Sequence, residues 1–259
     1  MSILKQYKGF LIDLDGTMYK GTERIDEAMR FVHELNDKGL PYLFVTNNSS
    51  RTPAQVAEKL RGFDIPTEAH QVFTTSQATA NYMYTLKPSG TVYVIGEEGI
   101  KVALEEKGFK LVDDEHTDFV VVGIDRNINY EKFAKACLAV RNGATFISTN
   151  GDIAIPTERG LLPGAGSITA VVSTSTRVKP TFIGKPESII MEQAQEVLGV
   201  RKEDTVMIGD NYDTDILAGM NAGLDTILVH TGVTTPELLK NYEKRPTHVI
   251  DSLSDWKLS

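Results

Sequence analysis

The run Gly9-Phe10-Leu11-Ile12-Asp13-Leu14 is apolar almost without a break and carries one carboxylate near its end. Apolar residues that do not alternate with polar ones mark a strand covered on both faces, as in parallel sheets sandwiched between helices. The next residues keep to that scheme. Ile25, Ala28, Met29, Val32 and Leu35 share one helical face, and Gly39 stands at its stop. Leu40 to Val45 reads as a second buried strand ending at Thr46. Thr52, Pro53 and Gln55 then open a helix as a capping box with proline in its first turn.

The pattern resumes near the other end of the chain. Pro180–Gly184 reads as a strand, Ser188–Leu198 as a helix and Thr205–Ile208 as a strand. Asp215–Ala222 reads as a helix before Gly223, and Thr226–Val229 as a further strand. Such alternation predicts an α/β fold, a doubly wound, Rossmann-like parallel sheet with right-handed crossovers. Between the two stretches lie helix Ser76–Leu86, the turn Pro88-Ser89-Gly90, and strands Thr91–Ile95, Phe119–Ile124 and Thr145–Ser148. Helices fit Glu98–Lys107, Asn129–Asn142 and Ser167–Thr174. The expected organisation is therefore a core of residues 1–78 plus 180–259, interrupted by a second α/β unit over 79–179.

Charge and composition narrow the function. The chain has 259 residues and a formal net charge of −8, which argues against a phosphate-tracking nucleic-acid binder and against docking on an anionic membrane. An anionic substrate would have to be held by local cations or amides, because the overall field repels it. The single cysteine, Cys137, cannot form an internal disulfide and suits a reducing compartment. The first apolar run stops at Asp13, too short for a signal peptide, and no stretch reaches the roughly 18 apolar residues of a membrane span. A cytoplasmic protein acting on a small molecule is expected.

Four polar segments carry the chemistry. Asp13-Leu14-Asp15-Gly16-Thr17 and Thr46-Asn47-Asn48-Ser49 each close a strand; Gly184-Lys185-Pro186 and Gly209-Asp210 follow two others. In an open parallel sheet ligands bind outside the carboxyl ends of the strands, so the four clusters converge on one crevice. Each alone has a plain structural reading as a turn, a helix cap or a solvated lysine; together, in order and each behind a strand, they point to a site. Crowded carboxylates repel unless some take up protons or a cation sits among them. Hard oxygen donors without a His or Cys cluster favour Mg²⁺. Lys185 and the donors of Thr46 and Asn47 add positive potential for a phosphoryl group. Asp13, ionised at neutral pH, can attack phosphorus without a separate base. Asp15, where the chain turns at Gly16, can reach the leaving oxygen and then a water.

These segments match, in order, the four motifs of the haloacid-dehalogenase superfamily of phosphotransferases, which the sequence resembles. Thr149-Asn150-Gly151-Asp152, Pro163-Gly164-Ala165-Gly166-Ser167 and Asn211-Tyr212-Asp213-Thr214-Asp215 extend the resemblance to the NagD-type branch over nearly the whole chain. The resemblance implies a Rossmann-like core with a large α/β cap inserted between the second and third motifs. It implies Asp13 as nucleophile and Asp15 as acid/base. Asp13, the Asp15 main-chain carbonyl and Asp210 would ligate Mg²⁺. Thr46, Asn47, Asn48 and Lys185 would bind the phosphoryl group, with Asp215 orienting Lys185 or a metal-bound water, and Gly16 and Asn211 in support. In the cap, Asn150, Asp152 and Ser167 are candidate substrate selectors. Gly151 departs from the family, which usually has proline there.

The function that follows is a Mg²⁺-dependent phosphatase for small phosphomonoesters, sugar or acid-sugar phosphates or nucleoside monophosphates, working through an aspartyl-phosphate. A phosphomutase using the same intermediate and a non-catalytic phosphate-ligand binding protein are the alternatives.

Overall fold

Strand β1 (Gly9–Ile12) buries every residue, so it can only be a central strand. It pairs in parallel with β4 (Tyr42–Thr46) on one side and β13 (Thr205–Gly209) on the other. The computed structural model of the chain describes residues 5–258. Beyond β13 run β14 (Asp225–Val229) and β15 (His248–Ile250), again parallel; β5 (Val72–Thr74) closes the opposite edge. The order is β15-β14-β13-β1-β4-β5. The chain therefore leaves β1 in one direction first and returns later to its other side. That makes the carboxyl ends of β1 and β13 the switch point, where Asp13 and Asp210 follow. A short hairpin, β2 (Tyr19–Lys20) with β3 (Glu23–Arg24), follows β1 and was not foreseen.

Helix α1 (Asp26–Asp37) carries the face read from the sequence: Ala28, Phe31, Val32 and Leu35 are buried against the sheet cluster of Phe10, Ile12, Phe44 and Val206. Each large apolar side chain buried there contributes about 1.5–3 kcal/mol. Gly39 takes φ +64°, a left-handed turn after the helix that suits glycine. Helix α2 (Pro53–Arg61) opens with the Thr52–Gln55 capping box, Thr52 N–H donating to Gln55 Oε1 at 2.9 Å.

The described chain divides into two compact units: residues 5–46, Val56–Phe73 and residues 185–258 form one, and Asn47–Gln55 with Thr74–Gly184 the other. The second has its own parallel sheet, β12-β9-β8-β6-β7. Its strands are β6 (Thr91–Ile95), β7 (Lys110–Leu111), β8 (Phe119–Val122), β9 (Thr145–Ser148) and β12 (Thr181–Phe182). An antiparallel hairpin, β10 (Ala154–Thr157) and β11 (Gly160–Pro163), accompanies it. Helices α3 (Thr75–Leu86), α4 (Glu98–Glu106), α5 (Tyr130–Arg141) and α6 (Ala165–Thr176) complete the unit. Cys137 is buried in its apolar cluster with Val120, Phe146 and Ile168.

Four expectations need correcting. The strand read over Pro180–Gly184 shrinks to Thr181–Phe182 and pairs with β9, so it completes the second sheet rather than opening the last part of the first. The helix read over Asp215–Ala222 is a π turn, Tyr212–Ile216, followed by Leu217–Asn221. Helix α6 starts at Ala165, two residues before its expected start. Segment 47–55, read as the start of the strand-to-helix connection in the core, packs with the second unit. Ser50 and Ser49 carbonyls there accept the Gly99 and Ile100 N–H groups, each at 3.0 Å, at the start of α4.

Candidate active site

Asp13 continues β1 by one residue, its N–H donating to Ile208 O at 2.9 Å, so the sheet ladder itself sets where its carboxyl stands. Lys185 Nζ meets Asp13 Oδ1 at 2.5 Å, Asp215 Oδ1 at 2.7 Å and Val45 O at 3.0 Å, acceptors suited to an ammonium group. Lys185 is 2% exposed and Asp215 and Asp210 each 1%. Burial opposes the lysine's charge, but Asp13 and Asp215 outweigh it and hold its pKa above the usual value. The pairing holds it as an ammonium group.

Asp210 ends β13, and both of its oxygens are held. Thr17 Oγ1 donates to Oδ1 at 3.1 Å and Val233 N–H to Oδ2 at 2.7 Å. Two glycines make room for it. A Cβ on Gly16, which adopts φ +90°, would stand 2.6 Å from Asp210 Oδ1, and one on Gly232 would press on the same carboxyl. Asp215 is fixed from its own turn: Asn211 N–H donates to its Oδ2 at 3.1 Å, while Asn211 Oδ1 accepts the Asp213 N–H at 3.0 Å. Asn211 thus shapes the turn that aims Asp215 at Lys185.

One carboxylate oxygen each from Asp13, Asp210 and Asp215 lie within 4.8 Å of one another. One ammonium cannot neutralise three buried carboxylates. Asp13 is accordingly pushed well above the ordinary carboxylate range, by burial first and then by Asp215, with Lys185 opposing. Asp210 rises to about 6 for the same leading reason, burial, with Asp215 adding to it. A hard, oxygen-only donor set carrying surplus negative charge fits a divalent cation.

Asp15 differs from this trio. It is exposed, and partial desolvation raises its carboxyl above the usual value against the pull of Lys59 and of the Gly21 N–H. Lys59 itself stands over the Tyr19 ring, 3.6 Å from its centre. An exposed carboxyl two residues from a buried one on the same strand end can exchange protons with solvent, which the buried one cannot do as readily.

Thr46, the last residue of β4, is buried in the first unit, whereas Asn47 begins the second. Asn48 Oδ1 accepts the Ser50 and Arg51 N–H groups at 2.9 and 3.0 Å, turning the chain. Asn150, Asp152 and Ser167 gather in the second unit. Asn150 is buried and donates to Asn47 O at 2.8 Å; Asp152 accepts from Asn47 Nδ2; Ser167 Oγ donates to Ile153 O at 2.6 Å.

Sequence reasoning passed over the hydroxyl of Thr17 and the loop Thr231–Thr234. Thr231 Oγ1 donates to Gly16 O at 2.7 Å, and Thr234 N–H donates to Asp210 O at 3.0 Å. The signal was present: His230-Thr231-Gly232-Val233-Thr234 is one more polar stretch directly after a buried strand.

Comparison with known proteins gives the family. Residues 10–110 match the profile of haloacid dehalogenase-like hydrolases, and residues 182–256 match that of the related HAD hydrolase-like family. The chain is 66% identical over 253 residues to the 5'-nucleotidase YutF of Bacillus subtilis, covering 98% of each chain. It is 54% identical over 252 residues to the acid sugar phosphatase of Staphylococcus aureus, covering 97% of each. A crystal structure of a double mutant of the thermostable NPPase from Geobacillus stearothermophilus superposes with a TM-score of 0.93 at 61% identity, covering 98% of this chain and 99% of that one. The buried acids and lysine therefore stand in a fold and sequence shared with named phosphatases, and the chain belongs to the haloacid dehalogenase-like hydrolases as a phosphoric monoester hydrolase.

Proposed function

We propose that the protein hydrolyses small phosphomonoesters, nucleoside monophosphates and sugar or acid-sugar phosphates, in a Mg²⁺-dependent reaction through an aspartyl-phosphate on Asp13. The observation that carries this reading is the ion-paired cluster at the switch point: Asp13 held 2.5 Å from Lys185 with Asp210 and Asp215 beside it. The substrate class is suggested by the 5'-nucleotidase and acid sugar phosphatase among its relatives.

Asp13, Asp210 and the main-chain carbonyl of Asp15 would hold Mg²⁺, with Asp215 close by to orient Lys185. Bound there, the cation would offset the repulsion between an anionic nucleophile and an anionic phosphate. An Asp13 oxygen attacks phosphorus as the ester oxygen departs. Asp15 gives that oxygen a proton, then takes one from the water that opens the acyl phosphate. Lys185 draws the Asp13 carboxyl toward its ionised form and, with Thr46 and the Asn47 and Asn48 amides, stabilises charge on the transferred phosphoryl oxygens. Gly16 and Asn211 keep the two acidic turns in shape. We assign residues 79–179 the part of a substrate-selecting insert. No helix among the described residues is long and apolar enough to cross a membrane, and a buried, unpaired Cys137 fits the cytoplasm.

The test uses p-nitrophenyl phosphate with purified protein. Wild type should turn over with Mg²⁺, stop on chelation and resume on readdition. Acid-quenched protein should retain a phosphate label that neutral hydroxylamine releases, and Asp13→Asn should neither label nor turn over. Label or near-normal turnover in Asp13→Asn would remove the nucleophile assignment. Phosphate recovered on a second hydroxyl of a sugar phosphate, rather than free, would favour a mutase.

A further inference from the structure

The turn that carries Asp215 leans on contacts from outside it. Tyr212–Ile216 is a π turn, a rare and wide form that recurs at functional sites. Its end is tied inward: the Asp215 and Ile216 N–H groups donate to Asn211 O at 2.9 and 3.3 Å, and Ile216 lies in an apolar cluster with Leu228. Its first two residues are held by a tyrosine far along the chain, 29 positions beyond Asp213.

That tyrosine is Tyr242. Its ring stacks on that of Tyr212, with centroids 3.7 Å apart and planes at 26°, and its hydroxyl donates to Asp213 Oδ2 at 2.8 Å. Burial, then the hydrogen bond to Asp213, pushes the Tyr242 pKa up to about 12, so the oxygen keeps the proton it donates. Tyr242 is itself seated, since its N–H donates to Leu239 O at 3.2 Å and its ring packs on the cluster of Tyr212, Ile216, Leu228 and Leu239. Tyr212 is pinned further: its N–H donates to Thr234 Oγ1 and its hydroxyl to Lys244 O, each at 2.8 Å. The chain from Val233 to Tyr242 therefore reaches both acidic turns. Val233 and Thr234 hold Asp210, and Tyr242 holds the turn of Asp215.

We infer that Tyr242 is a positioning residue for Asp215: by stacking on Tyr212 and binding Asp213 it fixes the π turn, and so keeps the Asp215 carboxylate aimed at Lys185, 2.7 Å away. This rests on the part given to Asp215 above, that of orienting Lys185. Asp213 is exposed and has no part in the chemistry assigned to the site, so the contact acts through the turn that both acids share. A misplacement of about 1 Å, caused far from the reacting atoms, can cost two orders of magnitude in rate. A ring that prevents such a shift matters more to kcat than to KM.

The experiment measures kcat and KM for p-nitrophenyl phosphate in the full-length, Mg²⁺-loaded enzyme, and amide hydrogen exchange in the metal-free protein. Tyr242→Leu removes ring and hydroxyl together. It should lower kcat about tenfold with KM changed less than about twofold. It should also speed exchange at the Asp215 and Ile216 amides while the central strands keep their protection. Tyr242→Phe keeps the stack and should retain about a third to a half of the wild-type kcat. In an Asp215→Ala background neither substitution should lower kcat further, because the carboxylate being positioned is gone. Wild-type kcat in Tyr242→Leu, a loss that falls on KM instead, a loss that adds in full to that of Asp215→Ala, or unchanged exchange in the turn each overturns the inference. If Asp215→Ala itself keeps the wild-type kcat, the inference falls through its premise, and the fault lies with the part given to Asp215. Thermal melting separates a folding defect from lost positioning; where Tyr242→Leu does not fold, Tyr242→Phe carries the same test on its smaller loss.

Discussion

Replacing Lys185 with Met keeps the length and the apolar stem of the side chain but removes its charge. At 2.5 and 2.7 Å the ammonium attracts Asp13 and Asp215; at an effective dielectric near 20 each pair is worth about 6 kcal/mol before desolvation is charged against it. Most of that is offset by dehydrating the ions. What remains on removing one partner of a buried pair is about 3–5 kcal/mol of destabilisation, because uncompensated carboxylates stay behind. For a chain of this size that corresponds to a melting temperature lower by about 6–20 °C. The cost also depends on pH. Asp13 already sits well above the usual carboxylate range through burial, and Lys185 lowers it. Without Lys185 that carboxyl is pushed higher still, so the variant loses more stability than wild type as pH rises, and its deficit should be larger near pH 8 than near pH 5. The only tryptophan, Trp256, stacks on Tyr7 in the core of the same unit, so its fluorescence follows that unit's unfolding separately from the other. Melts with a chelator present, at both pH values, give the answer. A deficit below about 1 kcal/mol near pH 8, or one that does not change with pH, refutes the claim that Lys185 neutralises these carboxylates.

Three further outcomes are expected. Gly16→Ala forces a Cβ at φ +90° against the Asp210 carboxyl, and should cost about 1–3 kcal/mol and weaken Mg²⁺ binding in calorimetric titration; unchanged binding would mean that Asp210 is not a ligand. Thr17→Val removes the hydroxyl that donates to Asp210 at 3.1 Å, and should destabilise by about 1–2 kcal/mol with a fall in kcat; an effect on KM alone would contradict it. Burial raises the Asp210 carboxyl to about 6, so it holds a proton in the folded state that the unfolded chain has lost, and the chelated protein should lose stability between about pH 4 and pH 6. Stabilisation by added Mg²⁺ should therefore grow as pH rises through that window and shrink in Asp210→Asn, as melting curves will report.

The elements were readable where burial on both faces leaves an unbroken apolar run, as in Phe10 to Ile12, or where a helix writes its face into the spacing, as in Ala28 to Leu35. The short edge strands β5, β7 and β15 and the two hairpins were not, because so few residues carry no period. The strand at Thr181–Phe182 was read as a strand but given to the wrong sheet. Local propensity is silent about partners, and what decides is the ladder to Ile147 and Ser148. Asn48 shows the same limit: its amide is a turn device through the Ser50 and Arg51 N–H groups, a contact that no motif spells out.

Residue types and their order along the chain were enough to say that acids, a lysine and small turn residues stand at the ends of buried strands, since strand direction alone delivers them to one rim. The distances were not in the sequence. That Lys185 lies between Asp13 and Asp215, that Thr17 and Val233 hold opposite oxygens of Asp210, and that Asp152 grips Asn47 are matters of where remote segments meet. Hydrogen bonds and charge coupling act over a few ångströms, a range that only the folded chain brings within reach of residues 23 to 193 positions apart.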